Sequence, residues 1–303
     1  MHRARVPVSW QARLACVLLR RTFKRRLAAA QGVRAIRRLM NVPVRAPLDG
    51  VSVAPATLGG IVGEWLESPG RPPKASLLYL HGGGYIACSP RTHRAVTTAF
   101  AHAGYGTFAP DYRLAPEHPF PAALEDALAA YRALLDRTRP RPLFVAGDSA
   151  GGGLSLALLL AARERGWPLP TAVALFSPLT DLVVTGDSIR QNAARCAMFV
   201  PQVLERVAQL YLGRRDPYDP LASPLYGDLR GLPPLLIHVG RDETLLDDSV
   251  RLAQRVRAAA GTVELEIWPA VPHAWQLFHP WIPEGRRSLA AAATFFDTYL
   301  HGS

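Results

Sequence analysis

The sequence predicts an α/β protein: a mostly parallel central sheet flanked by helices on both faces, with a helical cap. Two observations lead there. From about residue 75 onward, short apolar runs alternate with longer helical patterns, the rhythm of parallel strands joined by crossover helices. The sharpest transition is Leu143-Phe144-Val145-Ala146, then Gly147-Asp148-Ser149-Ala150-Gly151-Gly152, then the Leu/Ala run from Leu154 to Ala162. It reads as a buried parallel strand, a tight turn and a helix. A chain of 303 residues suits one large α/β domain, or one domain carrying a small lid.

The elements follow in order. Residues 1–45 mix Trp10, Leu14, Val17 and Leu18 with Arg13, Arg20, Arg21, Lys24, Arg25 and Arg26. A second stretch sets Ile36, Leu39 and Met40 against Arg34, Arg37 and Arg38. Spacings of three and four predict two amphipathic helices separated near Gln31-Gly32. Three roles compete for this segment: a lid over a site, a contact with an anionic membrane, or a solvated basic face. The basic run interrupts any secretory-signal core. Val51 to Val53 and Ile61 to Leu66, joined at Gly59-Gly60, form a hairpin, and Ser68 to Pro73 a surface loop. Strands are expected at Leu77–Leu80, Gly106–Ala109, Ala172–Phe176, Leu235–Val239 and Val263–Trp268. Helices are expected at Thr92–Ala103, Ala122–Leu135, Ser249–Ala260 and Gly285–Leu300. Residues 185–215 break the rhythm with a helix at Pro201–Leu212 and no strand, and read as an insertion. The expected division is cap helices at 1–45 and a catalytic domain at 46–303 interrupted by a cap segment at 185–215.

Composition narrows the class. The formal charge of +11 is concentrated: residues 1–45 hold 12 of the 35 basic residues and no acidic one, leaving 23 against 24 beyond. A near-neutral body argues against nucleic-acid binding, which would spread a basic face across the fold. Cys16, Cys88 and Cys196 are far apart and lack C-x-x-C spacing, which suggests a reducing compartment and neither a disulfide framework nor a thiolate metal site. No apolar stretch is long enough to cross a bilayer, and the cytoplasm is the expected location.

Chemistry gathers at the ends of the predicted strands. A serine between glycines at a strand-to-helix turn fits a nucleophile elbow, with its hydroxyl at a helix N-terminus. A serine hydroxyl needs a base and something to orient that base. Asp242, in Gly240-Arg241-Asp242-Glu243, and His273, in Pro272-His273-Ala274-Trp275, follow later strands. The order Ser149, Asp242, His273 is that of an α/β-hydrolase triad. Glu243, Asp247, Asp248 and Asp181 compete as the acid, helix capping being the plainer role for Asp247 and Asp248; His238, His279 and His301 compete as the base. His81-Gly82-Gly83-Gly84 follows a strand, and its bare amides suit an oxyanion hole of Gly83, Gly84 and Ala150. It lacks the ending of a P-loop and the spacing of a dinucleotide fingerprint. His81 braces the loop. Asp111 to Glu117 reads as a proline-stiffened ion-pair network. Tyr85, Met198 and Phe199 are candidates for an acyl pocket, against ordinary core packing.

Together, His81 to Gly84, Asp111 to Glu117, Gly147 to Gly152, Gly240 to Glu243 and Pro272-His273 resemble the bacterial hormone-sensitive-lipase-like carboxylesterases, a branch of the α/β-hydrolases. The resemblance implies a lid built from N-terminal helices plus an insertion, matching 1–45 and 185–215, and hydrolysis of short- to medium-chain esters. The expected activity is serine carboxylic-ester hydrolysis through an acyl-enzyme, without metal or organic cofactor. A lactonase using the same triad, or a membrane-surface binding protein with a vestigial elbow, are the alternatives. Candidate partners are a small-molecule ester or lactone, an anionic membrane touched by residues 1–45, and a second copy of the chain.

Overall fold

The computed structural model describes residues 8–42, 49–138 and 141–300. Three helices open the chain: α1 (Trp10–Arg21), α2 (Phe23–Ala29) and α3 (Gly32–Met40). An extra break comes at Thr22, whose hydroxyl bonds back to the Leu18 carbonyl at 2.7 Å and competes with continued helix. The hairpin strands β1 (Ser52–Leu58) and β2 (Ile61–Glu67) turn at Gly59-Gly60. Then come β3 (Ala75–Leu80), α4 (Arg94–His102), β4 (Tyr105–Pro110), α5 (Ala122–Thr138), β5 (Leu143–Asp148), α6 (Ala150–Glu164) and β6 (Ala172–Phe176). The insertion holds α7 (Ser188–Gln191) and α8 (Pro201–Leu212). The chain continues through β7 (Leu235–Gly240), α9 (Leu246–Ala258), β8 (Val263–Trp268) and α10 (Pro283–Asp297).

The eight strands lie in the order β1-β2-β4-β3-β5-β6-β7-β8. β2 runs antiparallel to β1 and β4, and every other pairing is parallel. Strands β3 to β7 are buried along their whole length, as their unbroken apolar runs require of strands covered on both faces. On one face α4 and α10 deliver Phe100 and Phe296 onto Tyr105 and Phe144, with Phe144 and Phe296 stacked at 4.6 Å. On the other, α5, α6 and α9 pack with α8 and the N-terminal helices. Helix α6 is apolar on every side from Ala150 to Ala162 and buried throughout that stretch. Its first turn therefore sits in the middle of the sheet's carboxyl edge.

Helix α9 begins at Leu246, three residues before the expected start, so Asp247 and Asp248 lie in its first turn instead of capping it. Their carboxylates reach sideways. Asp247 accepts from the Ser188 amide, and Asp248 from the amides of Thr180 and Asp181 at 2.7 and 3.0 Å. Burial raises the Asp248 carboxyl to about 7, although those hydrogen bonds oppose the rise. A carboxyl whose folded pKa lies above its unfolded value stabilises the fold below the unfolded value, near 4, and loses that contribution as pH rises through 7. Asp248→Asn, which cannot ionise, should gain on the wild type by about 1 to 4 kcal/mol between pH 5 and pH 8 in chemical denaturation. A stability difference unchanged between the two pH values contradicts this assignment.

Candidate active site

Ser149 joins β5 to α6 with φ 53° and ψ −121°, a conformation that side-chain-bearing residues rarely adopt. The elbow closes because its neighbours are bare: a Cβ on Gly151 would lie 2.0 Å from the Leu80 carbonyl oxygen, and one on Gly147 would lie 2.4 Å from that of Gly151. The Ser149 amide donates to Phe176 at 2.8 Å, and its carbonyl accepts from Gly153 and Leu179. Three backbone hydrogen bonds hold the strained residue in place.

The glycine loop after β3 lies against this turn. Asp148 accepts from Tyr79 Oη at 2.6 Å and from the Gly82 amide at 3.0 Å, with His93 Nε2 at 3.3 Å. Burial works against its ionisation, but His93 and the Tyr79 bond hold the carboxyl below the usual aspartate range. A Cβ on Gly82 would fall 2.2 Å from this carboxylate, and Gly83 takes φ 115°. His81 stacks on Tyr112 at 4.2 Å, and Tyr112 Oη donates to the His81 carbonyl at 2.7 Å. Burial, then His93, lowers His81 to about 3, so it stays neutral and braces the loop. Gly83 and Gly84 line the same cavity as Ser149. The Ala150 amide, first in α6, belongs to the turn whose N–H groups lack intrahelical acceptors.

The carboxylate on His273 is Glu243. Its Oε2 lies 2.6 Å from His273 Nδ1, while Oε1 accepts from Ser177 Oγ at 2.7 Å and from the Gly240 amide at 2.5 Å. Asp242, the expected acid, points the other way, 3.4 Å from Arg195 Nε with about a third of its side chain exposed. After β7 the chain turns through Glu243 N to Gly240 O, which carries residue 243 inward and residue 242 outward. The other candidates are engaged elsewhere: Asp181 binds Arg251 and Thr185, and Asp247 and Asp248 brace the loop after β6. Glu243 fixes the proton on His273 Nδ1, leaving Nε2, which is buried and without a partner among the described residues. His238 is held by Ser288 within β7 and His279 by the Ala95 carbonyl; His301 lies outside the described residues.

The profile of the alpha/beta hydrolase fold family matches residues 77–277. An acetyl-hydrolase of Streptomyces hygroscopicus is 46% identical over 244 residues, 80% of this chain and 81% of its own. An esterase of Acinetobacter venetianus is 35% identical over 248 residues, 81% of this chain and 82% of its own. The crystal structure of the esterase EstE5 superimposes with a TM-score of 0.92 at 40% identity, covering 96% of this chain and 99% of that one. An esterase described as a bacterial hormone-sensitive lipase family member gives 0.89 at 40%, covering 97% and 100%. The chain belongs to the bacterial hormone-sensitive-lipase family of α/β-hydrolases.

In this hydrolase a cavity of about 230 Å³ opens over Ser149 and His273. Met198 and Phe199 line it, Phe199 packing edge-on to the His273 ring at 4.8 Å. Tyr85 is not among the lining residues. Its ring stacks on Tyr211 at 3.7 Å and reaches α6 near Gly153, so it is core. Further apolar walls come from Leu19, Phe23, Ile36, Leu39 and Met40 of the N-terminal helices, from Val42 just beyond them, and from Val203, Leu204 and Val207 of α8. The amphipathic spacing flagged those helices as lid material without showing which side chains face the cavity.

Charge fastens these helices. Arg37 donates to the Ile86 and Ala115 carbonyls and grips both Glu117 oxygens at 2.7 and 2.6 Å. Arg20 and Lys24 donate to the carbonyls of Ala193, Arg195 and Cys196 in the insertion. The ion pairs of the segment from Asp111 to Glu117 therefore reach outward, to Arg37 and to Glu125 and Asp126 of α5, instead of closing within the loop. Exposed pairs contribute little singly, but Arg37 also satisfies two carbonyls. Arg37→Ala should make residues 32–42 markedly more sensitive to limited proteolysis while lowering global stability by only about 1 to 2 kcal/mol. Unchanged cleavage there would show that α3 docks without it.

Proposed function

We propose that the protein hydrolyses carboxylic esters through an acyl-enzyme on Ser149, with His273 as base and Glu243 as the orienting acid. The observation that carries this reading is the buried Glu243–His273 pair, bonded at 2.6 Å and opening on the cavity that Ser149 lines. As the Ser149 hydroxyl attacks the ester carbonyl, His273 Nε2 takes its proton, and Glu243 stabilises the imidazolium that forms. The developing oxyanion is received by the amides of Gly83, Gly84 and Ala150. His273 then protonates the leaving alcohol. Water repeats the sequence on the acyl-enzyme and releases the acid.

The apolar walls from Met198, Phe199, Val203, Leu204 and Val207 suit a short- to medium-length acyl chain more than a polar one. Together with Leu19, Phe23, Ile36, Leu39, Met40 and Val42 they form most of the apolar lining, so the N-terminal helices and the insertion set substrate shape while the strand ends supply chemistry. The related EstE5 was soaked with p-nitrophenyl butyrate, which recommends that ester here. A panel of p-nitrophenyl esters of increasing acyl length, with simple lactones beside them, should give turnover on the shorter esters. Ser149→Ala should lower it by roughly 10⁵-fold or more. Wild-type rates in Ser149→Ala would end the acyl-enzyme mechanism. Faster turnover of lactones than of any open ester would move the substrate class to ring esters.

A further inference from the structure

One face of α1 has no partner among the described residues. Ala12 and Cys16 turn inward and are buried, and Leu19 lines the cavity wall. Trp10, Leu14, Val17 and Leu18 turn outward, 69%, 46%, 39% and 52% exposed. With Arg13 and Arg21 these positions follow one side of a helix at intervals of three and four. Soluble surfaces expose single apolar residues routinely, but four large ones on three turns of one helix form a continuous patch.

The N-terminal helices carry charge of one sign, and the carboxylate beside them, Asp242, which shares a pocket with Arg13 and Val17, is paired with Arg195. Residues 1–48 contain no Asp or Glu. Arg20, Lys24 and Arg37 are engaged within the fold, as described above. Arg13, Arg21, Arg25, Arg26, Arg34 and Arg38 are exposed, and none forms an ion pair among the described residues. An apolar stripe bordered by such arginines complements a surface with acyl chains beneath anionic headgroups. A second copy of this chain fits it poorly, because a two-fold contact would set the same cations against each other.

The patch also sits beside the cavity. Val42 lines the cavity yet is 63% exposed, so the opening reaches the surface by the N-terminal helices. Trp281, 54% exposed, stands three residues before Glu284, whose carboxylate accepts both the amide and the hydroxyl of Ser9 at the start of α1. Two exposed tryptophans thus flank one hydrogen-bonded junction, and indole rings favour the membrane–water boundary.

We propose that the outer face of α1, with Trp281, is a docking surface for an anionic lipid bilayer, on which α1 lies in the interface plane and the cavity mouth sits at the lipid. No helix among the described residues is long and apolar enough to span the bilayer, so the contact is peripheral. It uses none of the residues assigned to hydrolysis and stands whether or not that assignment holds.

Flotation of the full chain tests this, using phosphatidylcholine vesicles with and without phosphatidylglycerol at several salt concentrations. The protein should float with the phosphatidylglycerol vesicles alone, and added salt should release it. Arg21→Ala with Arg25→Ala should weaken partitioning roughly 30-fold. Leu14→Ser with Leu18→Ser should weaken it comparably. Both double variants should keep the wild-type melting temperature and the wild-type rate on a soluble p-nitrophenyl ester. Equal binding to both vesicle types, or no binding to either, overturns the proposal. So does a dimer that the leucine variants dissociate in a protein that ignores vesicles.

Discussion

The Glu243 carboxylate is the interaction on which the site depends. Its two oxygens take the hydroxyl of Ser177 beyond β6, the amide of Gly240 at the end of β7, and the imidazole of His273 beyond β8. Three strand ends are thereby fixed relative to one another by one buried group. Ser149 lines the same cavity as His273, held by a strained turn that its bare glycine neighbours permit. Residual freedom at either end would be lost rate, since a base out of reach of its proton does no catalysis. Burial makes the arrangement stringent: a carboxyl group at 2% exposure is tolerable only with its hydrogen bonds made.

Asp148 performs the matching task for the glycine loop. It immediately precedes the nucleophile, and one of its oxygens binds the Gly82 amide. Ser149 and the glycine amides proposed as donors are therefore set by adjacent residues of one turn. The His81–Tyr112 stack and the Tyr112 bond to the His81 carbonyl hold the loop from its far side. The conspicuous histidine before the glycines is thus architectural, while the inconspicuous aspartate beside the serine ties the two halves of the site together.

Much of this was legible in the sequence. Parallel strands buried on both faces leave apolar runs that stand out, and β6 and β8 begin and end where the pattern places them. The elbow and the glycine loop after β3 betray themselves because close backbone approach demands glycine. The carboxylate partner of His273 did not, because Asp242 and Glu243 are consecutive carboxylates in one loop. Which of them turns inward depends on the turn from Glu243 N to Gly240 O and on the external partner Arg195, neither visible in spacing. Tyr85 misled for a similar reason: its φ of 60° swings the ring away from the glycine loop and onto Tyr211. The arginines near the N-terminus divide into a few that fasten the cap and a larger exposed set, a division that required knowing which carbonyls lie within reach.

The central claim is that Glu243, and not its neighbour, orients His273. Comparing kcat/KM of Glu243→Gln and Asp242→Asn on p-nitrophenyl butyrate, with folding checked by circular dichroism, tests it most directly. Glu243→Gln should lose roughly 10⁴-fold, the scale seen when the orienting carboxylate of a serine triad is neutralised, while Asp242→Asn stays within about threefold of wild type. A large loss in Asp242→Asn with Glu243→Gln near wild type would contradict the account.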